Sequence, residues 1–439
     1  MFSRKNRRPK SPDVLEAWET LETGDIPGAL RMLRSGAEQL PLDDVALVVG
    51  RAARETGIDD LRQAAEALAA RPRHAEALYG FGYACVEHGL SYLAVPALAE
   101  VLRLNPGALP VVRELVSAYE REGRHDAAVN VLTRHESALA DWPDRYLLVH
   151  NALMSGDLPL ARERHAVLPD PTDPQWLPAR ERQNRMLERA AAAAAATGLD
   201  LTDLRGWQYV LGGTVLGVIS PHGYDIGMTG RFAWFQDSAD QCLRGLVRLK
   251  ALLDAAEPRP RSVSLLPDRS SRILGLAAAE VLGLPAEPFA ADREDTVVVA
   301  YDLNEMADAP DSRRILGQLH ERVPGQVLHE HASCWTDAPA VTADSVALLY
   351  QTVAAPWDSQ LRVNADGDVE RGPADDRPEA EIATEIVGAD PSPDGGDGET
   401  PDDPDEAFAA FVAAVRPTWL RGERARLNST GPVPSSRFV

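Results

Sequence analysis

Residues 78–106 read LYGFGYACVEHGLSYLAVPALAEVLRLNP. Leu78, Phe81 and Cys85 stand at helical spacing, Gly89 interrupts, Ala94 and Leu98 lie on a second helical run, and Pro106 closes the stretch. A glycine supplies the left-handed conformation at a helix C-terminus, and a proline stops the helix that follows. The pattern recurs: Gly24, Gly57, Gly89, Gly123 and Gly156 are separated by 33, 32, 34 and 33 residues. Ala29, Ala94, Ala128 and Ala161 each follow one of these glycines by five, and Pro41, Pro72 and Pro106 end the first three units. An alanine there lets the second helix of a unit lie close against the first. A period near 33 predicts about five helix–turn–helix units stacked as a solenoid over residues 10–171.

Leu78-x-x-Phe81-Gly82-x-x-Cys85, then Ala94-x-x-x-Leu98 and Pro106, resembles a tetratricopeptide repeat. Val112-x-x-Leu115-Val116-x-x-Tyr119, then Ala128-x-x-x-Leu132, resembles the next one. Val116 and Val149 replace the small residue at Gly82, which suggests looser packing. Arg62 stands where the alanine of the second unit is expected, which suggests a shifted helix. The resemblance implies a concave groove for a peptide or a partner's helix, lined by the first helix of each unit. Residues four apart share a helix face. The candidate groove residues are Tyr79, Tyr83 and Glu87, then Arg113, Ser117 and Arg121, then Tyr146 and His150. Tyrosine and arginine are common interface anchors, with arginine suited to a partner's carboxylate. The plainer alternative is that these are solvated or inter-repeat positions.

The periodicity then changes. Residues 172–203 read as a connecting or capping helix with an alanine run at 190–196. From 204 to 360, short apolar runs alternate with amphipathic helices, as in a mostly parallel α/β sheet. The fold class expected is therefore an N-terminal helical-repeat solenoid followed by an α/β domain. In such sheets ligands bind beyond the carboxyl ends of the strands. Two candidates fall there: the loop Asp268, Arg269, Ser270, Ser271 and Arg272, and Asp302 after the run 296–301. Serine and arginine at a helix start suit a phosphate, although capping by Asp268, Ser270 or Ser271 is the simpler reading.

Together they are similar, in a degenerate way, to the type I phosphoribosyltransferases. No second acid adjoins Asp302 and no Thr-Gly-Gly loop follows, so the resemblance implies a shared fold with the activity lost. His329-Glu330-His331-x-x-Cys334 puts two histidines on one strand face, yet lacks a fourth ligand nearby, and no metal or other cofactor is expected.

The 439 residues carry a net charge of −22, against binding to nucleic acid or anionic membrane. Cys85, Cys242 and Cys334 are too few and too scattered for a disulfide framework. No apolar run reaches the ~20 residues of a membrane span. The acidity is local: between Asn364 and Glu406 sixteen acidic residues face only Arg371 and Arg377. With several prolines and little apolar surface, 361–406 is expected to be a largely disordered linker, with Ala380–Val387 as a brief exception. A basic tail at 1–9 and a short helix with a tail at 407–439 complete the division. Phe408, Phe411 and Trp419 should dock that helix onto a domain. The sequence reads as a cytoplasmic, bacterial-style scaffold binding a protein or peptide, with no small-molecule ligand expected. The rival is an enzyme or a nucleotide or phosphoribosyl sensor built on 204–360.

Overall fold

The computed structural model describes residues 7–435 apart from 225, 256–258, 309–310, 365–366 and 425–430. Most of the N-terminal basic tail and parts of the C-terminal tail thus lie outside the described residues. The chain divides into two units, Met1–Leu177 and Pro178–Val439.

The first unit is helical throughout. Its pairs are α1 (Pro12–Glu22) with α2 (Ile26–Arg34), α3 (Leu42–Thr56) with α4 (Asp59–Ala70), α5 (Ala75–Glu87) with α6 (Ser91–Leu104), α7 (Leu109–Arg121) with α8 (His125–Arg134), and α9 (Tyr146–Met154) with α10 (Leu158–Val167). The phased glycines sit in the turn inside each pair, with φ of +91° at Gly24, +77° at Gly57, +74° at Gly89, +67° at Gly123 and +82° at Gly156. That is the left-handed region, where a Cβ is strained. Ala29, Ala94, Ala128 and Ala161 are fully buried. Gly82 is a packing glycine: a Cβ there would meet Leu98 Cγ at 2.7 Å. Val116 and Val149 are fully buried, so the larger side chains are absorbed in the core rather than loosening it. Arg62 lies outside the seam, paired with Asp59 and Glu66, while Leu61, Ala65 and Leu68 fill the interior. First helices of successive pairs touch, α1 with α3 and α5 with α7. The first pair also reaches ahead: Tyr92 donates to the carbonyl of Leu30 at 3.0 Å, and Arg34 pairs with Glu122 at 2.8 Å.

The second unit opens with α11 (Leu177–Ala193) and α12 (Leu204–Gly212). Arg189 of α11 donates to the carbonyl of Leu211 at 3.2 Å, which ties this helix into the second unit. The sheet contains β1 (Val215–Leu216), β2 (Phe232–Gln236), β3 (Ser262–Leu265), β4 (Ala286–Pro288), β5 (Thr296–Ala300), β6 (Val327–Cys334) and β7 (Ser345–Ala354). Its order is β1-β7-β6-β5-β3-β4, and β2 also pairs with β7. Every pairing in it is parallel. β5 is buried along its whole length, as its β-branched run requires. The helices are α13 (Ala239–Ala255), α14 (Arg269–Leu282), α15 (Ser312–Leu319), α16 (Glu379–Val387) and α17 (Asp405–Val415); β8 (Leu361–Val363) and β9 (Val369–Arg371) form a separate hairpin.

α16 falls on the exception expected at Ala380–Val387, and contacts beyond it depart from the linker expectation for the rest of 361–406. α16 buries Ile382, Ala383 and Ile386 and packs on α14 and α13. Farther along, Asp403 accepts from Arg205 and pairs with Arg248, and Asp397 accepts from the Gly223 backbone at 2.7 Å. Asp403, Asp405 and Glu379 are matched by arginines lying far away in sequence, so local composition misrepresents their surroundings. α17 buries Phe408, Phe411, Val412 and Val415, with Arg248 4.6 Å over the Phe408 ring.

Candidate functional site

On the first unit, the residues singled out for a groove do not behave alike. Tyr83 is 45% exposed, and its ring centroid lies 6.3 Å from that of half-buried Tyr79, one turn away on α5. Glu87 is exposed on the next turn and Ser117 of α7 is half-buried. Glu114 lies near enough for burial, with the charge of Glu87, to hold its carboxyl above the ordinary value. Burial and Glu114 likewise raise the Tyr79 phenol. The Tyr79–Tyr83 ledge is therefore flanked by two carboxylates, neither in an ion pair among the described residues, although the charge of Arg121 reaches Glu114 and partly opposes the rise.

The other candidates are occupied by partners within the unit. Arg113 grips Asp144 through bonds of 2.7 and 3.0 Å, and Asp144 is only 1% exposed. Arg121 donates to the carbonyl of Val86. Tyr146 is buried and stacks on Trp142 with ring centroids 5.3 Å apart. His150 follows it, 6.2 Å from the Tyr146 ring. A buried carboxylate of the unit itself thus already holds Arg113, whose side chain is 44% exposed.

On the second unit, the strand order places β3 and β5 side by side with β4 beyond β3. The chain changes direction across the sheet there, which is the usual place for a ligand. Asp268 and Asp302 follow these two strands. Asp268 caps α14, its Oδ1 accepting from the Ser271 backbone at 2.8 Å. Ser271 Oγ accepts from the Tyr301 backbone at 3.1 Å, and Ser270 Oγ accepts from Trp357 at 3.0 Å. Arg269 donates to the carbonyls of Asp375 and Arg377, and Arg272 pairs with Glu379 at 2.7 Å. The loop's donors are directed at the protein, so the helix-start residues serve as cap and anchors of the following segment.

Asp302 is 2% exposed and accepts from Tyr350 and, at 2.8 Å, from the Asn304 backbone. Burial raises its carboxyl above the ordinary value against those hydrogen bonds, and the charge of Asp268 adds to the rise. Glu305 is pushed up to about 7 by burial and by the charges of Asp302, Asp358 and Asp268. A cavity of about 550 Å³ opens beside this edge, lined by Leu266, Pro267, Arg272, Phe289, Arg314 and Ile315 among others. Asp302 is not in its wall, so the two sequence-derived candidates are neighbours without sharing one cavity.

The histidine strand is arranged differently from the local motif. His329 and His331 are both buried in β6, but His329 Nδ1 meets Ser345 Oγ at 3.1 Å. Cys334 lies 3.2 Å from Thr336 Oγ1. His331 instead faces Asp237, after β2, and Cys242, in the first turn of α13. No motif search links these three, because Asp237 and His331 are 94 residues apart. Among the described residues they are the group of His, Cys, Asp or Glu close enough to share a metal ion.

No family model matches the chain. No curated protein matches it either. Among solved structures, the chain is similar to those titled "MamA MSR-1 C2" and "MamA AMB-1 C2221", at 21% identity and a TM-score of 0.23 in both cases. The first match covers 40% of this chain and 94% of the other, the second 39% and 95%. No helix among the described residues is long and apolar enough to cross a membrane.

Proposed function

We propose that this chain is a cytoplasmic protein-interaction scaffold whose helical-repeat unit receives a partner segment on the Tyr79–Tyr83 ledge. The observation that carries this reading is Tyr83 itself: a large ring left 45% exposed beside Tyr79, on a helix whose Leu78, Phe81, Cys85 and Val86 are buried. Stacked helix pairs present extended faces of this kind, and the tetratricopeptide resemblance points to the same use. The chemistry of the ledge selects the partner. Neither Glu87 nor Glu114 is in an ion pair among the described residues, and the charge of Arg121, which donates to the Val86 carbonyl, offsets only part of the rise at Glu114. The fitting segment is therefore apolar with Lys or Arg beside its anchor, so that two crowded carboxylates gain a counter-charge.

The test is affinity capture with the natural chain and with Tyr83→Ala and Glu87→Lys variants. Both changes fall on exposed side chains, so the helical circular dichroism should stay unchanged. Loss of a tyrosine anchor should weaken partner binding about thirtyfold. Charge reversal should weaken it too, with a shallower salt dependence. Unchanged capture by both folded variants would remove the ledge from the account.

A further inference from the structure

We propose that the second unit holds a structural zinc ion between Asp237, Cys242 and His331. The three side chains come from three elements, the end of β2, the start of α13 and the middle of β6. All three are buried. Cys242 Sγ lies 3.8 Å from His331 Nε2 and 3.4 Å from Asp237 Oδ2, and His331 Nε2 lies 2.9 Å from that same oxygen. Bonds of about 2.0–2.3 Å in a tetrahedron place ligand atoms roughly 3.3–3.7 Å apart. The triangle already has nearly those edges, and a modest widening of its shortest side seats the ion.

Charge supports the same assignment. Asp237 meets no lysine or arginine among the described residues; its Oδ2 instead collects Tyr301 at 2.9 Å, Cys242 and His331. A buried carboxylate without a permanent cation is costly. Zinc with one carboxylate, one thiolate and a neutral imidazole is net neutral. One nitrogen, one oxygen and one sulfur donor suit zinc over magnesium or calcium, which take oxygen ligands. A cysteine binds zinc as the thiolate.

Zinc entry therefore releases the thiol proton, the sulfur keeping its electron pair for the metal. The imidazole binds through Nε2 and carries its proton on Nδ1. Space at that nitrogen is kept by Gly245, where a Cβ would stand 2.9 Å from His331 Nδ1. Tyr301 Oη, 2.9 Å from Asp237 Oδ2, is the protein group left for the fourth position. With no exposed ligand the site is closed, and its role is to pin the junction of β2 and α13 to the sheet.

The experiment uses the full chain, purified with reductant, and measures zinc per chain by mass spectrometry after dialysis. One zinc per chain is expected. Cobalt(II) is then added to metal-stripped protein, and the thiolate-to-cobalt charge-transfer band is read. The chain has three cysteines. The double variant Cys85→Ser, Cys334→Ser should keep the band and Cys242→Ser should lose it. Because the double variant leaves Cys242 as its single thiol, the assignment stands even where Cys242→Ser fails to fold. A folded natural chain without zinc and without the cobalt band overturns the proposal, as does a band that survives in Cys242→Ser or disappears in the double variant.

Discussion

Arg205 holds Asp403 through two hydrogen bonds, of 2.9 and 2.8 Å, across 198 residues of sequence. The same aspartate's backbone carbonyl accepts from Arg248 at 2.7 Å, and Arg248 is 2% exposed. The strongly acidic segment is thus part of the second unit's packing. Replacing Asp403 by Ala leaves the largely buried Arg205 guanidinium without its carboxylate, while Arg248 keeps Asp405 at 3.0 Å. Breaking such a pair from one side should destabilise the unit by about 3–5 kcal/mol. Urea unfolding of the Asp403→Ala chain checks this, and an unchanged midpoint would return the segment to the status of a linker.

A second arginine–aspartate group sets the acid limit of stability. Asp344 is buried against Arg424 at 2.9 Å and Arg322. Burial opposes its ionisation, but the two guanidinium charges win and hold its carboxyl below the ordinary value. A depressed folded value means stability that is complete above the unfolded value of about 4 and lost as pH falls through the lower folded value. Asp344→Asn should lower stability at neutral pH and flatten its loss below about pH 4. Melting temperatures from pH 3 to 7 measure both.

Glu330 acts in the opposite direction. It is 3% exposed in β6, and burial together with the charge of Asp302 pushes it up to about 8. A raised folded value gives stability that is complete below the unfolded value of about 4.3 and is lost as pH rises through the folded one. The natural chain should therefore weaken between pH 5 and 8. Glu330→Gln keeps an oxygen for the Leu303 backbone, which donates to Glu330 at 2.8 Å. That variant should lose less melting temperature between the two pH values than the natural chain, the remaining loss coming from Glu305 and Asp302.

In the first unit, Gly82→Ala drives a methyl into Leu98, whose Cγ would be 2.7 Å away. Overpacking of this kind should destabilise by about 1–3 kcal/mol. Gly80, on the same helix, is the control, because a Cβ there would meet nothing within 4 Å. Gly80→Ala should be neutral or slightly stabilising. Equal effects of the two changes on the unfolding midpoint would contradict the packing role given to Gly82.

The helix pairs were legible because their signal is local. A turn needs a left-handed residue and a close crossing needs a small one, and both demands repeat every 33 residues or so. The alternation of strands and helices after residue 204 was legible for the same reason. β7 was not, because 346–350 is uniformly apolar and such a run carries no period that separates strand from helix. Long-range pairing is the other gap. Nothing near Asp403 in sequence announces Arg205, and nothing near Arg113 announces that Asp144 occupies it. His331 drew attention beside His329 and Cys334, yet the groups that face it are Asp237 and Cys242.

The ledge on α5 is tested most directly by placing a photo-crosslinking amino acid at position 83 of the full chain, irradiating in cells, and repeating the experiment with Glu87→Lys added. The account predicts one dominant crosslinked protein, joined through a segment bearing Lys or Arg beside an apolar residue, and markedly weaker crosslinking when Glu87 is reversed. No crosslink at position 83, while the same reagent placed elsewhere on the unit captures a partner, would contradict it.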